Sequence, residues 1–483
     1  MTTSDPARDE SMGFVDSVGS WAELLGRRYL GAMVVLAGGV ALYATNVYVT
    51  ISLLPSAIAE IGGERLYAWS TTVFLLASVV SAVLVSKALA GLGSRRAYLV
   101  ALALFLAGTL ACAIAPSMPV LLAGRAVQGV GAGLLAGLGY ALIRSTLPAR
   151  LWARASALLS AMWGVGTFVG PALGGAFAEF GSWRGAFLAL AAASAGVAAL
   201  VPRVLASSGT RGRDDVRPEP FPLVALVLLA SAALVVSVAS VIATPLASTV
   251  GVLVGLVLIA AFISYERWAS VRVLPADTFR RGSRLRWIYA TIGLLAMTSM
   301  TEGFIPLFGQ RLAGLAPLAA GFLGAALALG WTIGELPSAS AARAATIRRI
   351  IVAGPLLGGL GLALAALTQR SAPGGGTLAL WVLAFLAAGA GVGIAWPHLS
   401  TAAMSSVADE REGDKASAAI NTVQLVANAF GAAVTGVAVN LGEPDTVRSA
   451  HYLFGGFVLI AALGLVTAVL AVRPAGTGRS AAA

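Results

Sequence analysis

Apolar runs of about 20 residues recur along the whole chain, separated by short linkers that hold most of its charge. A helix rising 1.5 Å per residue needs ~20 residues to cross a ~30 Å hydrocarbon layer, so each run matches one crossing. The runs are apolar all round. Strands of a membrane β-barrel would alternate polar and apolar residues in segments of ~10, so that architecture is excluded. Composition agrees: 58% of the 483 residues are hydrophobic and 11% charged, where a soluble protein carries roughly 25% charged residues. A soluble enzyme, a coiled coil and a disordered chain are excluded, and the fold class is all-α polytopic membrane protein.

The runs predict about fourteen spans. An even number returns both ends to one side. Alternate linkers then sort the 32 Lys and Arg as roughly 26 on the terminal side and five on the other, with Arg125 inside a span. That asymmetry predicts cytoplasmic termini. It also accounts for the net charge of +11, so nucleic acid is not an expected partner. The N-terminus lacks a basic start and a cleavage site, and is expected to be a cytoplasmic tail. Cys112 is the single cysteine and lies in an apolar run, which excludes an internal disulfide or a cysteine metal site. No metal-ligand cluster, nucleophile–base pair or phosphate-binding glycine loop stands out, so no metal and no cofactor are expected.

Two stretches look like copies at an offset of about 260 residues. Gly129-Val-Gly-Ala-Gly133 matches Gly389-Ala-Gly-Val-Gly393, Ala155-Ser156-Ala157 matches Ala416-Ser417-Ala418, and Gly170 matches Gly431. Arg95-Arg96 and Arg348-Arg349 follow corresponding spans. A parallel repeat predicts a tail at 1–30, a six-helix bundle at 31–205, a linker at 206–220 and two inserted spans at 221–267. A loop at 268–286, a second six-helix bundle at 287–472 and a tail at 473–483 complete this layout.

The fifth span reads Gly166-Thr-Phe-Val-Gly170-Pro171-Ala-Leu-Gly174-Gly175. Glycines four apart share a helix face and admit a neighbouring backbone, while Pro171 removes a donor and bends the helix. The string resembles the antiporter motif of drug-exporting members of the major facilitator superfamily. Leu122-Ala-Gly-Arg125-Ala-Val-Gln128-Gly129 is similar to the family's R-x-x-q-G motif, and the linker holding Gly93, Arg95 and Arg96 resembles its cytoplasmic gating loop, with Ala90 at the aspartate position. Trp396-Pro397-His398 and Asn421-Thr422-Val-Gln424 look like the fourteen-span drug:proton antiporters. The resemblance implies the major facilitator fold, two bundles alternately exposing a central cavity, and export of amphipathic or hydrophobic small molecules against protons. Such a protein is expected to work as a monomer. The family often carries an acid in span 1; the residue here is Asn46, which cannot exchange a proton.

Arg125 must find partners inside its span, because an arginine there costs ~2.5–3.5 kcal/mol or more. It is expected to bond span 1 at Asn46, as a coupling group or as a clamp. Glu302 lies about 16 residues beyond Arg286, ~24 Å along a helix, at the height Asn46 has in span 1. A carboxyl held out of water there is a proton-carrier candidate; the structural alternative is a rim carboxylate paired with Arg311. Glu335, a further proton-coupling candidate, is expected near the cytoplasmic face beside Arg343, as an interfacial pair or a gating bridge. His398 reads as structural, and Asp409–Lys415 as a solvated loop. Phe74, Gln128, Trp163, Phe168, Phe304 and Trp396 are the candidate cavity wall. Two other functions stay open: an exporter of a lipid or cell-envelope precursor with weak or no proton coupling, and a membrane-embedded lipid enzyme. The enzyme would need Glu302, Glu335 and His398 around one pocket.

Overall fold

The computed structural model describes residues 19–63, 66–179, 182–205, 222–242, 244–280, 282–315, 317–407 and 410–473. The expected linker 206–220, most of the two tails and Asp409 lie outside the described residues. A one-turn helix α1 (Trp21–Leu24) leads into α2 (Leu30–Ile61), α3 (Tyr67–Ala82), α4 (Val85–Ala113), α5 (Met118–Thr146), α6 (Trp152–Glu179) and α7 (Trp183–Val204). An apolar pair follows, α8 (Leu223–Ile242) and α9 (Pro245–Trp268). The rest comprises α10 (Leu285–Ser299), α11 (Ile305–Ala313), α12 (Pro317–Ser338), α13 (Ala344–Thr368), α14 (Gly375–Ser405), α15 (Glu410–Gly442) and α16 (Thr446–Val472). Among the described residues 12 helices are long and apolar enough to cross a membrane, and Trp69–Ala82 and Leu223–Val236 are shorter apolar helices.

Helices α2–α7 pack on one another, as do α10–α16, forming two bundles. Glycine sets the packing in both. In α5, an added Cβ at Gly129 or Gly133 would strike the backbone of α3 at Phe74 and Ser78, and one at Gly131 would strike α4 at Phe105. In α14, Gly389 and Gly393 meet α12 at Leu327 and Trp331, while Gly391 meets α13 at Gly358. The 260-residue copies therefore do the same work: each strips side chains from two faces of a central helix so that two backbones close on it. Gly166, Gly170 and Gly174 of α6 lie against Ala44, Tyr48 and Ser52 of α2, and Gly431 of α15 lies against Met297 of α10. Pro171 and Gly175 continue the α6 backbone, but their surroundings lie outside the described residues.

The linker expected around Gly93 is a single-residue break. Gly93, at φ 73 and ψ 166, interrupts the helical backbone within α4, a conformation that favours glycine. The inserted pair packs through α8 against both α3 and α15, so it touches both bundles. Its following loop is tied down: the Glu266 carboxylate accepts from Val273 N and Leu274 N, each at 2.9 Å, and Glu412 accepts from Ala276 N at 2.8 Å. Residues from Glu410 onward are thus the first turns of α15 and not a solvated loop. Gly413 there packs beneath the Arg144 guanidinium.

Candidate transport cleft

Between the bundles lies a cleft. Tyr48 of α2 and Ser160, Trp163 and Thr167 of α6 line one side; Glu302, Trp331 of α12, and Gln424 and Asn428 of α15 line the other. A water has about 60 Å³ of room in it, enough for a few molecules, whereas pockets for drug-sized ligands run ~300–1,000 Å³. The cleft is nearly shut.

Glu302 reaches the cleft because its helix breaks. Pro306 has no N–H to give the Glu302 carbonyl, so Ile305 N bonds it instead and Met300–Phe304 tightens into a 3₁₀ turn between α10 and α11. Among the described residues its carboxyl has no hydrogen-bond or ion-pair partner, and the exposed Arg311 does not pair with it. Three amide or carboxamide atoms of α15 are also buried without partners: Asn421 Nδ2, Gln424 Oε1 and Asn428 Oδ1.

Arg125 is buried in the first bundle and does not bond Asn46. Its Nη1 donates to Gln128 Oε1 at 2.7 Å and its Nε to Ser70 O at 3.3 Å, and its guanidinium lies 4.1 Å over the Phe74 ring. Gln128 Nε2 donates in turn to Thr109 Oγ1 at 2.8 Å. The partner three residues along its own helix wins over the one on another helix, and the Asn46 amide is left buried and unpartnered.

Of the six expected wall residues, only Trp163 lines the cleft. Phe74 and Gln128 are consumed by Arg125. Phe168 is 42% exposed and does not line the cleft. Phe304 packs inside the second bundle. Trp396 is fully buried between bundles, its Nε1 donating to Tyr140 OH at 3.1 Å. Tyr48, Ser160, Thr167, Trp331, Gln424 and Asn428 were not anticipated; the spacing of Asn421, Gln424 and Asn428, a polar stripe beyond the charged first turns of the helix, is the signal that marks α15.

The hydrogen bonds that join the bundles lie on the side where α2 starts and α16 ends. Arg144 Nη1 donates to Met404 O at 2.9 Å and Val407 O at 3.1 Å, and Trp21 Nε1 to Ser340 Oγ at 3.1 Å. Deeper in, Trp331 Nε1 donates to Ser160 Oγ at 3.0 Å. Arg95 and Arg96, expected to gate this side, make no such bond among the described residues; Arg144 does. Glu335 is fully buried and unpaired with Arg343, and His398 Nε2 faces Ser338 Oγ at 3.0 Å. Neither lines the cleft with Glu302, so these three residues do not surround one pocket.

A multi-pass helical protein with two facing bundles and a cleft between them has the build of a transporter. The chain matches the Major Facilitator Superfamily over residues 36–432 and belongs to that family. It is similar to a Mycobacterium tuberculosis protein named "Probable multidrug-efflux transporter Rv1634", 50% identical over 453 residues that cover 93% of this chain and 95% of the relative. A second protein of that organism, an uncharacterized MFS-type transporter, is 27% identical over 317 residues, 62% of this chain and 45% of the relative. Among solved structures, the fold resembles the human organic anion transporter MFSD10, with TM-score 0.65 and 15% identity over 91% of this chain and 99% of the other. It also resembles the proton:xylose symporter XylE, with TM-score 0.61 and 14% identity over 91% and 94%. The chain is a transporter and not an enzyme.

Proposed function

We propose that this transporter exports amphipathic or hydrophobic small molecules by alternating access, driven by inward proton flow, from a bacterial inner membrane with both termini in the cytoplasm. The observation that carries this reading is the Glu302 carboxyl in the inter-bundle cleft, with no cation or hydrogen-bond partner among the described residues. Such a group is free to exchange a proton with whatever occupies the cleft. Tyr48, Trp163 and Trp331 offer flat apolar faces, and the Gln424 and Asn428 amides offer polar contacts, a lining that suits loosely specified ligands. The name of the 50% identical relative supports efflux. We read the layout as fourteen spans: the 12 long helices plus Trp69–Ala82 and Leu223–Val236, which fall where spans two and seven are expected. Six-helix bundles at 31–205 and 287–472 flank the inserted pair, and a monomer contains the whole cleft.

The test is dye efflux from cells, with and without a protonophore, comparing wild type with Glu302→Gln. Protonophore-sensitive efflux that Glu302→Gln abolishes at equal protein level is expected. Undiminished efflux by the variant overturns the assignment.

A further inference from the structure

Glu335 sits in the seam between the bundles, outside the cleft, and is 0% exposed. Its Oε2 accepts from Trp331 Nε1 at 3.0 Å, and Oε1 has no partner. The same indole N–H lies 3.0 Å from Ser160 Oγ on α6. One three-centre contact thus joins the acid, the tryptophan and the opposite bundle. Trp331 packs on Trp396 with ring centroids 5.3 Å apart, and Trp396 bonds Tyr140 of α5, giving the seam a second crossing. The groups facing Glu335 are few. Tyr140 comes from α5 and Ser160 from α6, while α14 brings His398, held on Ser338 about one turn further along α12. Arg154 of α6 lies nearer the start of that helix, and no cation pairs with Glu335 among the described residues.

We propose that Glu335 is a second protonatable residue of the transport cycle: as the neutral acid it keeps the bundles shut on the terminal side, and loss of its proton opens that side. A carboxylate sealed in this contact would have a bare oxygen and no counter-charge, which is costly; the neutral acid is not, and parting the seam hydrates the charged form. Proton and closed seam therefore favour each other, and the linkage is reciprocal. The proposal takes from the proposed function only that protons drive the cycle, and it concerns a different residue, so the two can fail separately.

The test places spin labels at Ala149→Cys and Ala345→Cys, exposed positions on the terminal side of either bundle, with Cys112→Ser as background. Pulsed-EPR distances are read in lipid nanodiscs from about pH 5.5 to about pH 8.5. The parent should gain a longer-distance population, at least about tenfold, as pH rises. Glu335→Gln should stay at the short distance throughout, while His398→Gln keeps the parent's shift. A Glu335→Gln protein that shifts like the parent overturns the proposal, as does a parent with no shift or a shift lost in His398→Gln. Should Glu335→Gln not fold, Trp331→Phe removes the shared N–H. It should show the longer distance already at acid pH, and an unchanged distribution counts against the latch.

Discussion

Arg125 keeps a full charge inside the first bundle with a carboxamide, a carbonyl and an aromatic face as its company. A hydrogen bond to a charged group contributes about 1.5–3 kcal/mol, so Gln128→Leu should lower the unfolding temperature in detergent by a matching amount. Adding Arg125→Met should recover part of that loss, because no stranded charge remains; a double variant worse than the single would contradict this account. At the other end of α2, beyond its apolar run, the Trp183 indole and the Arg184 guanidinium hold the Glu60 carboxyl below the usual carboxylate range. A depressed carboxyl stabilises the fold above its unfolded-state value, and that stability is lost as pH falls through the folded value. The melting difference between wild type and Glu60→Gln should therefore be present at neutral pH and vanish in acid. At this scale the sequence was partly legible. Residue spacing from Arg286 sets Glu302 deep in its run, since helix rise is a constant. Which way a side chain turns about the axis depends on partners far away in the chain, so Trp163 and Phe168 could not be told apart.

Elements were read more surely than side chains. The repeated glycine triplets predict paired copies, and each triplet strips two faces of a central helix. In Gly391→Val the new side chain would meet the Gly358 backbone on α13, with no flexible group to give way. Overpacking of this kind typically costs 1–3 kcal/mol, and about that loss of stability is expected in thermal unfolding. Gly436 of α15 has nothing within 4 Å of an added Cβ, so Gly436→Ala should be neutral or gain up to about 1 kcal/mol. Gly170→Leu should pry α6 from α2 and stop transport; normal dye efflux in that variant would contradict the close approach at Tyr48. The breaks were harder to foresee. A lone glycine divides α4, and Pro306 acts on Glu302 by withholding a hydrogen bond from it, a local effect hidden within an apolar run.

For the molecule as a whole, two stiff bundles meet at a seam that holds the available choices. Arg144 bonds two backbone carbonyls at the end of α14. Removing them with Arg144→Ala should shift the population toward an open terminal side by roughly tenfold, the equivalent of ~1.4 kcal/mol. Distances between labels at Ala149→Cys and Ala345→Cys would show it. The helical architecture at this scale follows from run length, because bilayer thickness acts on the whole chain at once. The seam itself was not foreseen: Tyr140, Ser160 and Trp331 lie singly in apolar runs and carry no warning. Since the described cross-bundle hydrogen bonds lie at or below the cleft on one side, the two mouths present unequal obstacles to an inhibitor. A wedge driven in from the terminal side must displace indole and guanidinium donors, whereas among the described residues no cross-bundle hydrogen bond bars the far side, and shape alone decides whether it lodges there.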